Sequence, residues 1–230
     1  MLFQINHRTE YRYHEPATEA YMELRLSPPE TPWQIVREHT VRVLPHAAIS
    51  EYTDFFGNRT GFLSMTHRHD HLAIVNELVV ETRPREISGE LLAITVGEAR
   101  QVLGSMMTDV YDYLQGTEAA VVGGEAAAWS ARFLPAKARL GEAFEALNSA
   151  IHREFEYVSG ATTNETPLQE IWKNRRGVCQ DFAHVMLSVL RTSGIPCRYV
   201  CGYIESHPPK NQDGEPMVGA LATHAWVEVL

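Results

Sequence analysis

The first third of the chain alternates between polar and apolar side chains. Residues 2–13 place an apolar, aromatic or histidine side chain at almost every second position, the spacing of a half-buried strand. Further strands are predicted at 22–26, 35–44, 52–56, 62–65 and 72–80. The dipeptide Gly57-Asn58 lies between two of them and is typical of a hairpin turn. Short strands separated by turn signals predict an antiparallel β-sandwich over residues 1–95.

The character of the chain changes after Pro84, where residues 86–98 fit neither the strand nor the helix pattern clearly. Residues 96–135 are alanine-rich and are broken at Gly123-Gly124, which predicts a helical connector. Residues 136–155 carry one continuous apolar stripe and predict a long helix. Farther on, Thr166 and Pro167 have the residue types of a helix start, with the threonine as N-cap and the proline at the first helical position.

The stretch around Cys179 organises the second half of the chain. Apolar residues recur after it at helical spacing, and the pattern stops at Gly194 and Pro196. Cys179 is therefore predicted in the first turn of a largely buried helix. Free N–H groups and the positive end of the helix dipole favour a thiolate there, so the position suits a nucleophile. Asp181, in the same turn, is interpreted as a helix-capping carboxylate.

Two strands are predicted after this helix, at 198–204 and 223–229, and the second carries His224. The polar segment 206–219 between them is a candidate lid over a cleft or a plain surface loop.

Composition excludes several classes of function. The formal net charge is −9 and no run of lysine or arginine occurs, which argues against nucleic acid or an anionic membrane as partner. The three cysteines are an odd number in a long chain, so they do not predict a disulfide framework. Cys197 and Cys201 are interpreted as buried small hydrophobic residues. No membrane span and no signal peptide are predicted, so we expect a cytoplasmic protein.

A nucleophilic cysteine needs a base, usually histidine. His184 lies five residues after Cys179, and five residues turn a helix by about 500°, so the two side chains diverge. His224 opens a strand that can lie beside the helix start, as in papain-like sites, and is the better candidate. The triplet His67, His69 and His71 could hold zinc or nickel, but a polar hairpin edge is favoured, and no metal or cofactor is predicted.

Three blocks of the second half resemble the transglutaminase-like superfamily. They begin at Gly177-Val178-Cys179, at Leu190 and at His224-Ala225-Trp226, and together cover roughly residues 140–230. The closest resemblance is to a bacterial branch whose members are described as cysteine proteases. The first half is similar to the β-rich domain of that branch, in the stretches 7–13, 24–28 and 54–58.

The resemblance implies an α+β protein in which a β-sandwich precedes a papain-like core, here 136–230, with helices packed on an antiparallel sheet. It implies a Cys–His–Asp triad, with Cys179 as nucleophile and His224 as base. The family's aspartate comes from a segment after the histidine strand, which this sequence does not reach. Glu228 is about 13 Å along the strand from His224 and cannot replace it. We therefore expect an incomplete core, as in a truncated chain; the alternative is a chain that has lost the third member of the triad.

The implied function is acyl transfer on a peptide or amide bond, as in a cysteine protease, an amidase or a transglutaminase. The oxyanion donors would be the backbone N–H of Cys179 and one side chain, with Tyr157 and Trp172 as candidates; core packing is the alternative role for both. Hydrolysis and transamidation share the first half-reaction and are not separated here. The rival hypothesis is a peptide-binding module with a papain-like cleft and no turnover. The sequence does not predict the oligomeric state.

Overall fold

The computed structural model describes residues 1–204 and 223–230. Its contacts divide the chain into two compact units, Met1–Glu86 and Ile87–Leu230. The predicted segment 206–219 lies outside the described residues, so its role as a lid is still a prediction.

The first unit consists of six strands in two antiparallel sheets. The strands are β1 (Leu2–Ala17), β2 (Ala20–Leu24), β3 (Gln34–Leu44), β4 (Ile49–Thr53), β5 (Arg59–Met65) and β6 (His69–Thr82). One sheet has the order β1-β6-β3 and the other the order β2-β5-β4. Apolar side chains of both sheets, such as Leu63 of β5 and Leu72 of β6, share one buried core. The predicted antiparallel β-sandwich is therefore confirmed.

The hairpin between β4 and β5 has its turn where the sequence predicted it. Gly57 adopts a positive φ of 81°, which a glycine tolerates without a Cβ clash. The preceding strand differs from its prediction, because β4 ends at Thr53 and not at Phe56. The Asp54 carboxylate explains the difference: it accepts the backbone N–H groups of Phe56 and Asn58 and so folds these residues into the turn.

The second unit contains seven α-helices and four short strands among its described residues. The helices are α1 (Gly89–Ala93), α2 (Val96–Ser105), α3 (Met107–Val110), α4 (Glu125–Phe133), α5 (Leu140–Glu154), α6 (Leu168–Asn174) and α7 (Cys179–Thr192). The strands are β7 (Glu156–Tyr157), β8 (Arg176–Gly177), β9 (Cys197–Gly202) and β10 (His224–Val229). β7 pairs with β8 in parallel, whereas β9 and β10 are antiparallel.

One apolar core joins the helices of this unit. It includes residues of the segment 96–135, among them Val96, Trp129 and Leu134, together with residues of α5, α6, α7 and β9. The structure thus places the predicted connector within the second compact unit, whose boundary falls at Glu86.

Two predicted helix starts are wrong in detail. α5 begins at Leu140 and not at 136, because residues 135–138 form a turn in which the N–H of Ala138 donates to the carbonyl of Pro135. Thr166 is not the N-cap of α6: the helix begins at Leu168, and Pro167 occupies the capping position. The Thr166 hydroxyl instead accepts the N–H of Thr163 in the preceding turn, which satisfies it locally.

No helix in the described ranges combines the length and the apolar character needed to cross a membrane.

Candidate active site

Cys179 is the first residue of α7, as the sequence predicted. Val178 precedes it in an extended conformation as the N-cap, and the cysteine is a free thiol that is half-buried. The first N–H groups of a helix have no partner within the helix and carry partial positive charge. Cys179 therefore occupies a position that stabilises a thiolate.

A buried carboxylate fixes the start of this helix. Asp181 is only 3% exposed, and it accepts the N–H of Val178 at 2.7 Å and the hydroxyl of Thr162 at 2.6 Å. The predicted capping role of Asp181 agrees with this geometry. Gly177 makes the arrangement possible, because a Cβ at that position would lie 2.5 Å from the Asp181 carboxylate. The residues on both sides of Cys179 are thus tightly constrained.

The segment before Cys179 is also held by the short parallel ladder of β7 and β8. The N–H of Glu156 donates to the carbonyl of Arg175, and the N–H of Val158 donates to the carbonyl of Gly177. Tyr157 lies between these two bonds and is paired with Gly177. The ladder therefore brings Tyr157 next to the residues that lead into Cys179.

α7 packs against β9 and β10, and its side chains show how the layer is oriented. Near its C-terminal end, Arg191 donates to the carbonyl of Cys197, where β9 begins. About two turns earlier in the helix, the ring of His184 lies 5.3 Å from the ring of Tyr199. α7 and β9 therefore run in opposite directions, and Cys179 lies toward the end of β9.

His224 occupies the same end of the layer. It is the first residue of β10 and pairs with Gly202, the last residue of β9. The structure thus brings the start of the cysteine helix and the start of the histidine strand to one edge. Among the described residues no hydrogen bond joins Cys179 to His224, so their catalytic pairing stays a prediction.

The His224 ring has an open hydrogen-bonding position. Its Nε2 atom is buried and has no partner within residues 1–204 and 223–230. Glu228 does not supply one, since its carboxylate accepts two hydrogen bonds from Arg198 across the strand pair, at 2.9 and 2.7 Å. A buried ring nitrogen without a partner is a position that a third group would occupy.

His184 has a different environment. Burial lowers its pKa, with Asp181 opposing and Arg191 supporting that shift, and its ring packs against Tyr199. These contacts agree with the interpretation of His184 as a packed residue on the flank of the helix. Burial also raises the pKa of Tyr199 to about 12, and the nearby Cys201 and Cys179 add to the shift, so its hydroxyl stays protonated.

The two other cysteines differ from each other. Cys197 is fully buried, as predicted, and burial raises the pKa of its thiol to about 11. The prediction for Cys201 is wrong, because this residue is exposed. Cys201 lies one residue before the end of β9, opposite Ala225 of β10, and few of the described residues cover this end of the strand pair.

The two candidate oxyanion donors lie in contrasting places. Tyr157 is 60% exposed, and its ring lies 6.3 Å from that of Phe182 in the first turns of α7. Trp172 is 5% exposed and packs edge-on against Trp129 and Phe155 in the core. Their predicted roles are not tested by this geometry, but Tyr157 is the one with access to solvent beside the cysteine segment.

Sequence reasoning overlooked Arg175 and Thr162 as parts of this region. Thr162 is separated from Asp181 by a loop and a helix, and no pattern marks a hydroxyl for such a contact. The polar pair Arg175-Arg176 is typical of a solvated loop, yet the Arg175 guanidinium lies over three aromatic rings. The clue in the sequence is weak: Trp172, three residues earlier, belongs to the same aromatic cluster.

The histidine triplet of the first unit is not arranged as a metal centre. In the part of the chain that the structure describes, no three histidine, cysteine or acidic side chains converge as metal ligands. His69 is buried and hydrogen bonds through Nδ1 to the carbonyl of His67, while His71 contacts Asp70.

Two family models match the chain. Residues 3–81 match the bacterial transglutaminase-like N-terminal region, and residues 127–230 match the transglutaminase-like superfamily. The first match falls within the β-sandwich unit, and the second contains both Cys179 and His224.

Two relatives and one solved structure are similar to this chain over nearly all of its length. An uncharacterized protein of Mycobacterium bovis is 35% identical over 99% of this chain and 73% of its own length. A second uncharacterized protein, from Mycobacterium leprae, is 32% identical over 98% of this chain and 78% of its own length. A crystal structure from Cytophaga hutchinsonii, of a protein proposed to be a cysteine protease, matches with a TM-score of 0.76 at 21% identity. That match covers all of this chain and 75% of the solved one, and at this identity it establishes the fold alone.

Proposed function

Because the chain belongs to the transglutaminase-like superfamily, in its bacterial branch, we propose that Cys179 is the nucleophile of a thiol-dependent acyl-transfer enzyme acting on peptide or amide bonds. One observation carries the proposal. Cys179 begins α7 at the edge of the layer where His224 begins β10. A thiolate at a helix start with a histidine on a facing strand is the arrangement that activates cysteine nucleophiles.

The proposed reaction begins when His224 takes the proton of the Cys179 thiol and the resulting thiolate attacks the amide carbonyl. The sulfur–carbon bond forms, and the oxyanion accepts hydrogen bonds from the Cys179 N–H and from the Tyr157 hydroxyl or, less accessibly, the Trp172 indole. His224 then gives a proton to the leaving nitrogen as the carbon–nitrogen bond breaks. Water or a second amine resolves the thioester, giving hydrolysis or transamidation respectively.

A triad needs a third group to orient the histidine, and we propose that an aspartate outside residues 1–230 supplies it, as in the family pattern. The buried Nε2 atom of His224 supports this, since it has no acceptor among the described residues. A carboxylate there would fix the ring and stabilise the imidazolium that forms during the reaction. Loss of such a group reduces the rate strongly but leaves the cysteine–histidine pair.

Selective alkylation tests the proposal. At pH 6 we expect iodoacetamide to modify Cys179 faster than the exposed Cys201, as measured by peptide mass spectrometry. His224→Gln should slow the modification of Cys179, whereas His152→Gln, an exposed histidine on α5, should not. Equal rates at Cys179 and Cys201 would contradict the proposal. If the protein binds peptides but alkylates Cys179 and Cys201 at equal rates, the non-catalytic binding module is supported instead.

The two outcomes of acyl transfer require a separate measurement. A glutamine-containing peptide is incubated with the protein and a labelled primary amine, and the products are identified by mass spectrometry. Incorporation of the amine indicates transamidation, and cleavage or deamidation indicates hydrolysis. Cys179→Ala is the control that must abolish either product.

A further inference from the structure

Arg175 has an unusual backbone for its residue type. It ends α6 in the left-handed conformation, with φ 53° and ψ 36°, and its N–H donates to the carbonyl of Ile171 at 2.9 Å. Within residues 1–204 and 223–230 it is the one non-glycine residue with positive φ. Glycine is the usual residue at such helix ends, because a Cβ costs about 1 kcal/mol there. The arginine side chain must therefore make contacts that offset this cost.

Those contacts are made by an aromatic cage. The Cζ atom of Arg175 lies 4.8 Å from the ring centroid of Phe155, 5.0 Å from that of Trp172 and 5.3 Å from that of Trp129. The three rings are nearly buried and pack edge-to-face against one another. Cation–π attraction is strongest where the cation is partly desolvated, as here. Glu125 contacts the outer side of the guanidinium at 3.4 Å.

The caged residue is connected to the nucleophile through the backbone. The carbonyl of Arg175 accepts the N–H of Glu156 at 2.8 Å, and the carbonyl of Gly177 accepts the N–H of Val158 at 2.9 Å. These two bonds fix the direction of residues 175–177 immediately before Cys179. A change in the backbone angle at Arg175 would therefore redirect the entry into α7.

The aromatic cage also reaches α7 through side chains. Phe155, one of its members, lies 5.8 Å from the ring of Phe182, which follows Cys179 by three residues. Arg175 is thus connected to the cysteine in two ways: along the chain before it, and through Phe155, which packs against the helix after it.

We propose that Arg175 is a positioning residue for Cys179. Its caged guanidinium holds a left-handed turn that aims residues 176–178, so that the first N–H groups of α7 point at the sulfur. The inference rests on the proposed function, since it concerns the nucleophile of that site, and it goes beyond that function by naming a residue outside the triad. The planar shape of the Arg175 guanidinium is central to the proposal, because a guanidinium can stack on aromatic rings in a way that an ammonium group cannot.

The test compares three substitutions in a Cys201→Ser background, which removes the other accessible thiol. Arg175→Gly fits the left-handed turn but empties the cage. Arg175→Lys keeps the charge without the planar group. Arg176→Ala is the matched control, since this neighbouring arginine is exposed and the cation–π contacts described for the three rings are made by Arg175. The rate of Cys179 alkylation is measured from pH 5 to 9, with thermal unfolding alongside.

We expect Arg175→Gly to move the midpoint of alkylation upward by about one pH unit, which lowers the rate at pH 6.5 about tenfold. Arg175→Lys should lose most of the same activation, and Arg176→Ala should match the parent. Other titratable groups at this edge are common to all variants: Asp181 and His184 on α7, Tyr199 on β9, His224 on β10 and Tyr157 on β7. Amide exchange of the peptide spanning 175–182 should increase in the glycine and lysine variants and stay at the parent's level in Arg176→Ala.

The outcomes separate the two proposals. If the parent alkylates Cys179 like an ordinary thiol, the proposed function fails and the positioning role fails with it. If the parent is activated but Arg175→Gly has the same midpoint, Arg175 only packs the core and its proposed role is overturned. A lysine variant with the parent's midpoint would also overturn it, because charge without a planar group would then be sufficient.

Discussion

Replacing Gly177 by alanine should destabilise the protein through one identifiable contact. The new Cβ would lie 2.5 Å from the Oδ2 atom, 2.8 Å from the Cβ and 2.9 Å from the Cγ of Asp181. The φ of Gly177 is not positive, so backbone strain contributes nothing and the effect is steric alone. Since Asp181 is 3% exposed, its carboxylate has no free space to enter.

The cost follows from the bonds that Asp181 must give up. Moving the carboxylate away weakens its bonds to the Val178 N–H and the Thr162 hydroxyl, at 2.7 and 2.6 Å. A hydrogen bond to a charged group contributes about 1.5–3 kcal/mol, and a buried carboxylate left unpaired adds to the loss. We therefore expect Gly177→Ala to lower the free energy of unfolding by about 2–4 kcal/mol.

Urea denaturation, followed by tryptophan fluorescence, measures the change. Gly104→Ala is the control, because that glycine lies near the end of α2 with open space around its Cβ position. It should leave the stability unchanged or raise it by up to about 1 kcal/mol. In an Asp181→Ala background, Gly177→Ala should cost less than in the parent, since two of the three close atoms are absent. A loss below about 0.5 kcal/mol in the parent would refute the steric argument.

Three further predictions concern other parts of the second unit. Arg100→Met should lower the free energy of unfolding by about 1–3 kcal/mol in urea, because its guanidinium donates to the Leu134 carbonyl and to the Ser193 hydroxyl at two helix ends. Burial lowers the pKa of His184, so the unfolded state binds more protons and the free energy of unfolding falls as the pH drops below about 6.5. The melting temperature of His184→Phe should therefore decrease less than that of the parent between pH 7.5 and 5.5. Native Cys197 should resist iodoacetamide at pH 8.5 and react only after unfolding, because its buried thiol has a pKa of about 11; labelling of the folded protein would contradict this.

The features that could be predicted from sequence are those with a local cause. Alternation placed the strands of the sandwich, because a strand with one buried face must repeat every two residues. Helical spacing placed Cys179 in the first turn of α7, since the apolar stripe and the preceding glycine both indicate a helix start. Thr166 shows the limit of this reasoning. A threonine hydroxyl at this position can accept an N–H from the first turn of the following helix or from the turn before it. In the structure it accepts the N–H of Thr163, which lies in the preceding turn.

Features that depend on distant segments could not be predicted. Cys201 fits an apolar strand pattern, but its exposure depends on what covers one end of the β9–β10 pair. Arg175 is the stronger example. A left-handed helix end predicts glycine or asparagine, and the arginine is tolerated only because rings from α4, α6 and the residue after α5 meet around it. Trp129 and Arg175 are far apart in sequence, and no spacing rule connects them.

The environment of Cys179 shows why its activation cannot be attributed to the helix alone. A helix start favours a thiolate only if the backbone that leads into the helix has a fixed direction. Apart from the two paired residues of β8, residues 175–178 have no regular secondary structure. Their direction is set by three separate constraints: the Arg175 turn, the β7–β8 ladder and the carboxylate of Asp181. Each acts on the backbone and none touches the sulfur. Substitutions at Arg175 and Gly177 should therefore change the reactivity of Cys179 without removing any member of the proposed triad, and an unchanged alkylation profile in both would mean that the helix start is sufficient by itself.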